Sequence, residues 1–148
     1  SPMYHCIILE DLFDLQNFII SNKFIEDIYL EEKLKVTTKT MLSWIENVVH
    51  PDEKIPFFND ATFGIAPEIS FLKKYFFMLN KQLKFENICK NNFNNSGFAT
   101  LKNRLIFCIC DVGSIKSDYM PGHSHAGSLS FEASFNEKRV VIVDDLVQ

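Results

Sequence analysis

His123 and His125 stand two residues apart, directly after a Pro121-Gly122 turn and directly before an alternating run containing Leu129 and Phe131. In an extended chain, positions i and i+2 face the same way, so both imidazoles can converge on one metal ion, anion or sugar. Turn residues in front and a strand behind predict that the pair sits at the rim of a sheet, on a loop held by a scaffold. A metal would need a third ligand, usually Asp, Glu or His. Asp144 is the candidate, because it ends a Val-Val-Ile-Val strand expected to pair with the strand leaving the histidines. A hairpin folded near Asn136 would return Asp144 toward His125. The plainer alternative is one imidazole bonded to a backbone carbonyl and the other solvated.

Other groups have chemistry of their own. Tyr4-His5 opens a predicted helix. A phenol with an ordinary pKa near 10 needs positive neighbours or hydrogen bonds to act as an acid or base. Without them Tyr4 is an amphipathic helix-end residue. Asp118 and Tyr119 flank the Pro-Gly turn and read as turn residues or substrate contacts. Phe57-Phe58-Asn59-Asp60 joins an aromatic platform to an amide and a carboxylate, a pattern that usually means local capping. His50, before Pro51, reads as a helix-end residue without a role. A cupin-type metal barrel also uses His-x-His, but its carboxylate should follow sooner than Glu132 does. No phosphate-binding glycine loop and no Gly-x-Ser-x-Gly elbow occurs.

These groups are positioned by 148 residues, 47% hydrophobic, with fifteen phenylalanines supplying much of the apolar area. That suffices for one ordinary domain or two partial ones. A net charge of −4 excludes the basic face of a nucleic-acid surface. No apolar run is long enough to span a membrane, and no signal peptide is expected within the chain, which opens Ser1-Pro2-Met3-Tyr4-His5. The compartment is left open between periplasmic, secreted and cytoplasmic. Cys6, Cys89, Cys108 and Cys110 lie in apolar settings and read as reduced core thiols, with Cys108 and Cys110 sharing one buried strand face.

All five glycines fall from Gly64 onward, dividing the chain into two regimes. Apolar spacing predicts helices over Tyr4 to Ser21 (through Ile8, Leu12, Leu15, Phe18 and Ile19), Glu31 to Val49, and Pro67 to Leu79. Strands are predicted over Phe98 to Leu101, Leu105 to Cys110, Ser128 to Phe135 and Arg139 to Val143. A hairpin turn at Asn136-Glu137, or over Phe135 to Lys138, joins the last two, and Asn91 to Gly97 is a turn-rich segment. Helices first and antiparallel strands second imply an α+β fold. The ending Val140 to Gln148 reads as a strand cut short, so the chain is expected to be a fragment.

Several separated motifs then resemble one family. They are Ser1-Pro2-Met3-Tyr4-His5 with Leu9-Glu10-Asp11-Leu12, Phe58-Asn59-Asp60-Ala61 with Gly64-Ile65-Ala66-Pro67, and Asp111-Val112-Gly113. Asp118-Tyr119-Met120-Pro121-Gly122-His123-Ser124-His125-Ala126, Leu129-Ser130-Phe131-Glu132 and Val143-Asp144 complete the set. In this order they resemble the heparinase II/III-like polysaccharide lyases. The resemblance implies that residues 1–82 are the end of an (α/α) toroid of helical hairpins, and that 83–148 are the first antiparallel strands of a β-sandwich. It implies β-elimination on a uronic-acid-containing acidic polysaccharide or oligosaccharide. Tyr4 would be the general acid and a candidate base, and His123 a second proton-transfer or charge-stabilising group. A structural zinc would be held by His125 and Asp144 with a further ligand from outside the chain. Gly127 stands where the family usually has Asp after His-Ala, and Val143-Asp144-Asp145-Leu146 departs from the usual Val-Asp-x-Gly-Thr. The arginine before Ser-Pro and an upstream Asn/His segment are missing, so the fragment alone is expected to be inactive. A non-catalytic glycan-binding or surface-polysaccharide assembly protein, and a structural α+β interaction domain, are the rival readings.

Overall fold

A computed structural model describes residues 1–22, 27–81, 92–93, 96–113 and 129–142. Three helices precede a meander of strands, which makes the fold α+β. Helix α1 (Pro2–Ser21) carries proline at its first position, where the missing N–H costs nothing. Helix α2 (Ile28–Val48) starts at Asp27, whose carboxylate accepts the Leu30 amide at 2.9 Å. It ends where Val49 turns extended ahead of Pro51. Helix α3 (Ile69–Leu79) begins two residues after Pro67 and closes on Asn80.

The buried stripe of α1 is Met3, Cys6, Leu9, Phe13, Gln16 and Ile19. This corrects the expected stripe: Ile8, Leu15 and Phe18 are exposed. The helix is apolar on two sides, and spacing alone does not choose between them. On α2 the buried positions are Leu34, Thr38, Leu42, Ile45 and Val48, at helical spacing. Ile69, Leu72 and Phe76 of α3 complete the helical side of the core. Gln16 donates to Asn80 across that core at 3.0 Å, which joins α1 to the end of α3.

Strands β1 (Asn92–Phe93), β2 (Phe98–Lys102), β3 (Ile106–Asp111), β4 (Phe131–Phe135) and β5 (Lys138–Val141) form one antiparallel sheet in sequence order. The short β1 lies inside the stretch expected to be turns. Asn103 shapes the β2–β3 connection by accepting the Leu105 and Ile106 amides at 2.8 and 2.7 Å. The β4–β5 hairpin turns on Asn136-Glu137, as the sequence predicts, with Phe135 opposite Lys138. Both turn residues have positive φ, 48° and 66°, as a primed two-residue turn requires. Asn tolerates that region and Glu does not. Glu137→Gly should therefore stabilise the chain by roughly 1 kcal/mol, read as a rise in the denaturant midpoint.

One sheet face joins the helices: Phe98, Phe107 and Ile109 share a core with Leu42, Ile45, Val48 and Phe58. The aromatic path runs from Trp44 to Phe98 (6.1 Å between ring centres) and from Phe58 to Phe98 (5.3 Å). Cys108 and Cys110 alternate with these core residues and are only half-buried. They share a face as expected, but it is the outer one, where Leu101, Ile106, Phe131 and Phe135 are exposed. Cys6 is fully buried, as expected.

Candidate functional site

β4 turns its polar side inward. Glu132 and Ser134 are buried while Phe131 and Phe135 are exposed. The helix-end residue His50, expected to have no role, is what receives them. It is buried, its Nδ1 is 2.7 Å from Ser134 Oγ, and its Nε2 is 2.9 Å from Glu132 Oε2. The ring packs edge-on to Phe107 at 5.0 Å. Glu132 Oε1 accepts the Phe57 amide at 2.6 Å, and Arg139 Nη1 reaches Oε2 at 3.3 Å. Arg139 also grips Asp52 through Nε and Nη2 at 2.9 and 3.2 Å, and donates to the Lys54 and Ile55 carbonyls at 2.8 and 2.9 Å. Burial raises the Asp52 carboxyl, but hydrogen bonds from Arg139 and the Lys54 amide, with the guanidinium charge, outweigh it and hold the pKa below its ordinary value.

A serine, a histidine and a carboxylate in line have the composition of a hydrolytic triad. Here all three are sealed from solvent, so no substrate reaches the hydroxyl. The network is a latch: it ties the segment after α2 to β4 and β5, and each buried charge has a partner, as burial demands.

The sheet end nearest the start of α1 is organised by Asp111. Its Oδ1 accepts the Gly113 amide at 2.9 Å, its backbone N–H donates to the Ser130 carbonyl at 2.9 Å, and its carbonyl accepts the Leu129 amide at 2.8 Å. Residues 113 and 129, which flank segment 114–128, are thereby fixed to one aspartate. Asn59 Nδ2 lies 3.4 Å from Asp111 Oδ2, so Asn59 reaches the sheet where local capping was expected. Val112 N–H donates to the Gly97 carbonyl at 2.7 Å.

The approach at Gly97 leaves no room for a side chain. Its φ is +80°, and a Cβ there would stand 2.9 Å from Gly113 Cα. Gly97→Ala would combine a left-handed backbone with a backbone clash. We expect a loss of about 1–3 kcal/mol, measured by denaturant unfolding.

Trp44 bridges the first turn of α1 to this sheet end, because its ring lies beside that of His5 and 6.1 Å from that of Phe98, the residue paired with Asp111. Tyr4 sits on that turn with 52% of its surface exposed. Its neighbour His5 is held inward, with Nε2 2.9 Å from the Met41 carbonyl and its ring 4.3 Å from that of Trp44. The other nominated residues, His123, His125 and Asp144, lie outside the described residues, as do Asp118, Tyr119 and Gly127. Among the described residues no three His, Cys, Asp or Glu side chains group as metal ligands. Also among them, no helix is long and apolar enough to cross a membrane.

Burial lowers the His5 pKa, opposed by its bond to the Met41 carbonyl. The fold thus prefers the neutral ring. Its contribution to stability is full above the ordinary imidazole pKa of about 6.5 and declines as pH falls through that value. The unfolded chain then takes up a proton that the folded one resists. The denaturation midpoint should drop between about pH 7 and pH 5, and His5→Gln should flatten that part of the profile.

Compared with known proteins, residues 87–144 match the family model described as heparinase II/III-like, C-terminal. No curated protein and no solved structure gives a match.

Proposed function

From the premise that residues 87–144 belong to the heparinase II/III-like C-terminal family, we propose that the chain is a piece of a polysaccharide lyase acting on uronic-acid-containing acidic glycans. Helices α1 to α3 would close its toroid and the described sheet would open its β-sandwich. In β-elimination a base removes the C5 proton, an acid protonates the leaving glycosidic oxygen, and nearby groups stabilise the charge that develops on the carboxylate. Tyr4 is the proposed acid and a candidate base. His123 is the second proton-transfer or charge-stabilising group.

The observation that supports this pairing is the Asp111 anchor. Both flanks of segment 114–128, which contains His123 and His125, are tied to Asp111, whose strand partner Phe98 meets Trp44, the ring neighbour of His5 on the first turn of α1. Tyr4 is exposed on that same turn, whereas His5 is held inward. His125 and Asp144 are two donors of the types zinc takes and, with a further ligand from outside the chain, would hold the ion as a structural tie. The proton transfers do not pass through it.

A second reading has one feature in its favour. Gly127 replaces a carboxylate close to the histidine pair, which suits a non-catalytic glycan-binding or surface-polysaccharide assembly protein of the same fold. Incubating the intact parent with acidic polysaccharides separates the two. A lyase generates the ultraviolet absorbance of an unsaturated uronate, whereas a binder retains oligosaccharide and yields no such product. Neither product nor retention across uronic-acid glycans would end both readings.

A further inference from the structure

Trp44 stands half-buried against the core where helix α2 meets both the first turn of α1 and the sheet. One turn of α2 holds His5 twice. The Met41 carbonyl lies 2.9 Å from His5 Nε2, and because a carbonyl only accepts, that nitrogen carries the hydrogen. Three positions on, on the same helix face, the Trp44 ring sits 4.3 Å from the His5 ring at 41°. The indole also meets Phe98, at 6.1 Å and 60°. Phe98 pairs with Asp111 across β2 and β3, and it takes the ring of Phe58 at 5.3 Å. The next residue, Asn59, reaches Asp111 itself. His5 directly follows Tyr4, so the indole links the turn carrying the phenol to the sheet end that holds residues 113 and 129.

We propose that Trp44 is a positioning residue for the elimination: its ring sets the separation between the Tyr4 phenol and the Asp111 end of the sheet. The role rests on the lyase reading. Trp44 acts through His5 and Phe98, not on the sugar. An indole is long, flat and turns about only two side-chain bonds, so it fixes a distance that a flexible side chain would leave loose. Tilted ring pairs add a preferred geometry at each end. Proton transfer needs its partners within hydrogen-bond reach, and a shift of about 1 Å can cost about 10²-fold in rate. Leu42, Ile45 and Val48 form the buried stripe of α2 that holds the domain together, and Trp44 is not among them. It sits at the joint beside the phenol.

The test is a double-mutant cycle in the intact parent, with turnover of a uronic-acid glycan divided by the folded fraction from circular dichroism. Trp44→Leu should lower kcat and kcat/KM together by about 10²-fold, leaving KM in place. In a Tyr4→Phe background the same change should cost no further turnover, because no phenol is left to misplace. Trp44→Phe, which keeps a shorter ring, should show the same pattern in smaller measure, and it decides if the leucine variant fails to fold. Additive losses overturn the positioning role and leave the lyase reading intact. So does full turnover per folded molecule in the Trp44 variants where Tyr4→Phe loses it. A parent that yields no product from uronic-acid glycans overturns both.

Discussion

Glu132→Ala is expected to cost about 3–5 kcal/mol, the range for removing one partner of a buried charge pair. The carboxylate accepts the Phe57 amide, meets Arg139 Nη1 and faces His50 Nε2. Its removal leaves the Phe57 amide and His50 Nε2 without their buried acceptor and takes one of the partners of Arg139, which keeps Asp52 and the Lys54 and Ile55 carbonyls. A domain of this size has only about 5–15 kcal/mol in total, so the variant should be largely unfolded in mild denaturant. Glu132→Gln keeps an acceptor for the Phe57 amide and loses the charge opposite Arg139, so it should fall between alanine and the parent chain. Urea unfolding followed by circular dichroism measures both. A loss below about 1 kcal/mol for alanine would place it with ordinary surface changes, and the latch would then have no mechanical meaning.

Tyr4→Phe carries the largest expected effect on activity. In an active intact parent it should lower turnover by about 10²–10⁴-fold, the contribution of a positioned proton-transfer group. Stability should scarcely change, because Tyr4 is half exposed on a helix whose buried stripe is Met3, Cys6, Leu9 and Phe13. The two readouts must separate. A residue that merely packs would lose stability and activity together, and an idle one would lose neither. A folded Tyr4→Phe variant with full turnover would remove the phenol from the mechanism.

The sequence makes the order of elements legible because the apolar spacing changes from helical to alternating after Asn80. The turn at Asn136-Glu137 was legible for a local reason: two polar residues between strands leave few alternatives. Which face each element buries was harder. On β4, Phe131, Ala133 and Phe135 invite an inward assignment, yet Glu132 and Ser134 point into the protein because His50 and Arg139 await them. His50 and Ser134 are 84 positions apart. Each looks locally like a solvated residue, so only the tertiary fold could reveal the pair. The alternation of Glu132 with Ser134 on one strand face was the available signal. The cysteines were misplaced for the same reason: alternation gave their shared side correctly, and the bulkier Phe107 and Ile109 took the core.

Asn59 shows the same limit at the candidate site. Asn-Asp after two phenylalanines resembles a self-contained turn, and both residues do have positive φ, 54° and 61°. The Asn59 amide nevertheless extends to Asp111 on β3. Asp111, in turn, holds the flanks of the histidine-bearing segment through backbone bonds to Leu129 and Ser130. Periodicity supplied the scaffold, whereas the link from Asp111 through Phe98 and Trp44 to the first turn of α1 came from the folded chain.

A crystal structure of the intact parent with a bound uronic-acid oligosaccharide would measure the decisive separation. We predict the Tyr4 hydroxyl and the His123 imidazole on opposite sides of one sugar, each within about 3 Å of it. Finding the two groups on surfaces that no single sugar residue can bridge would contradict the shared site.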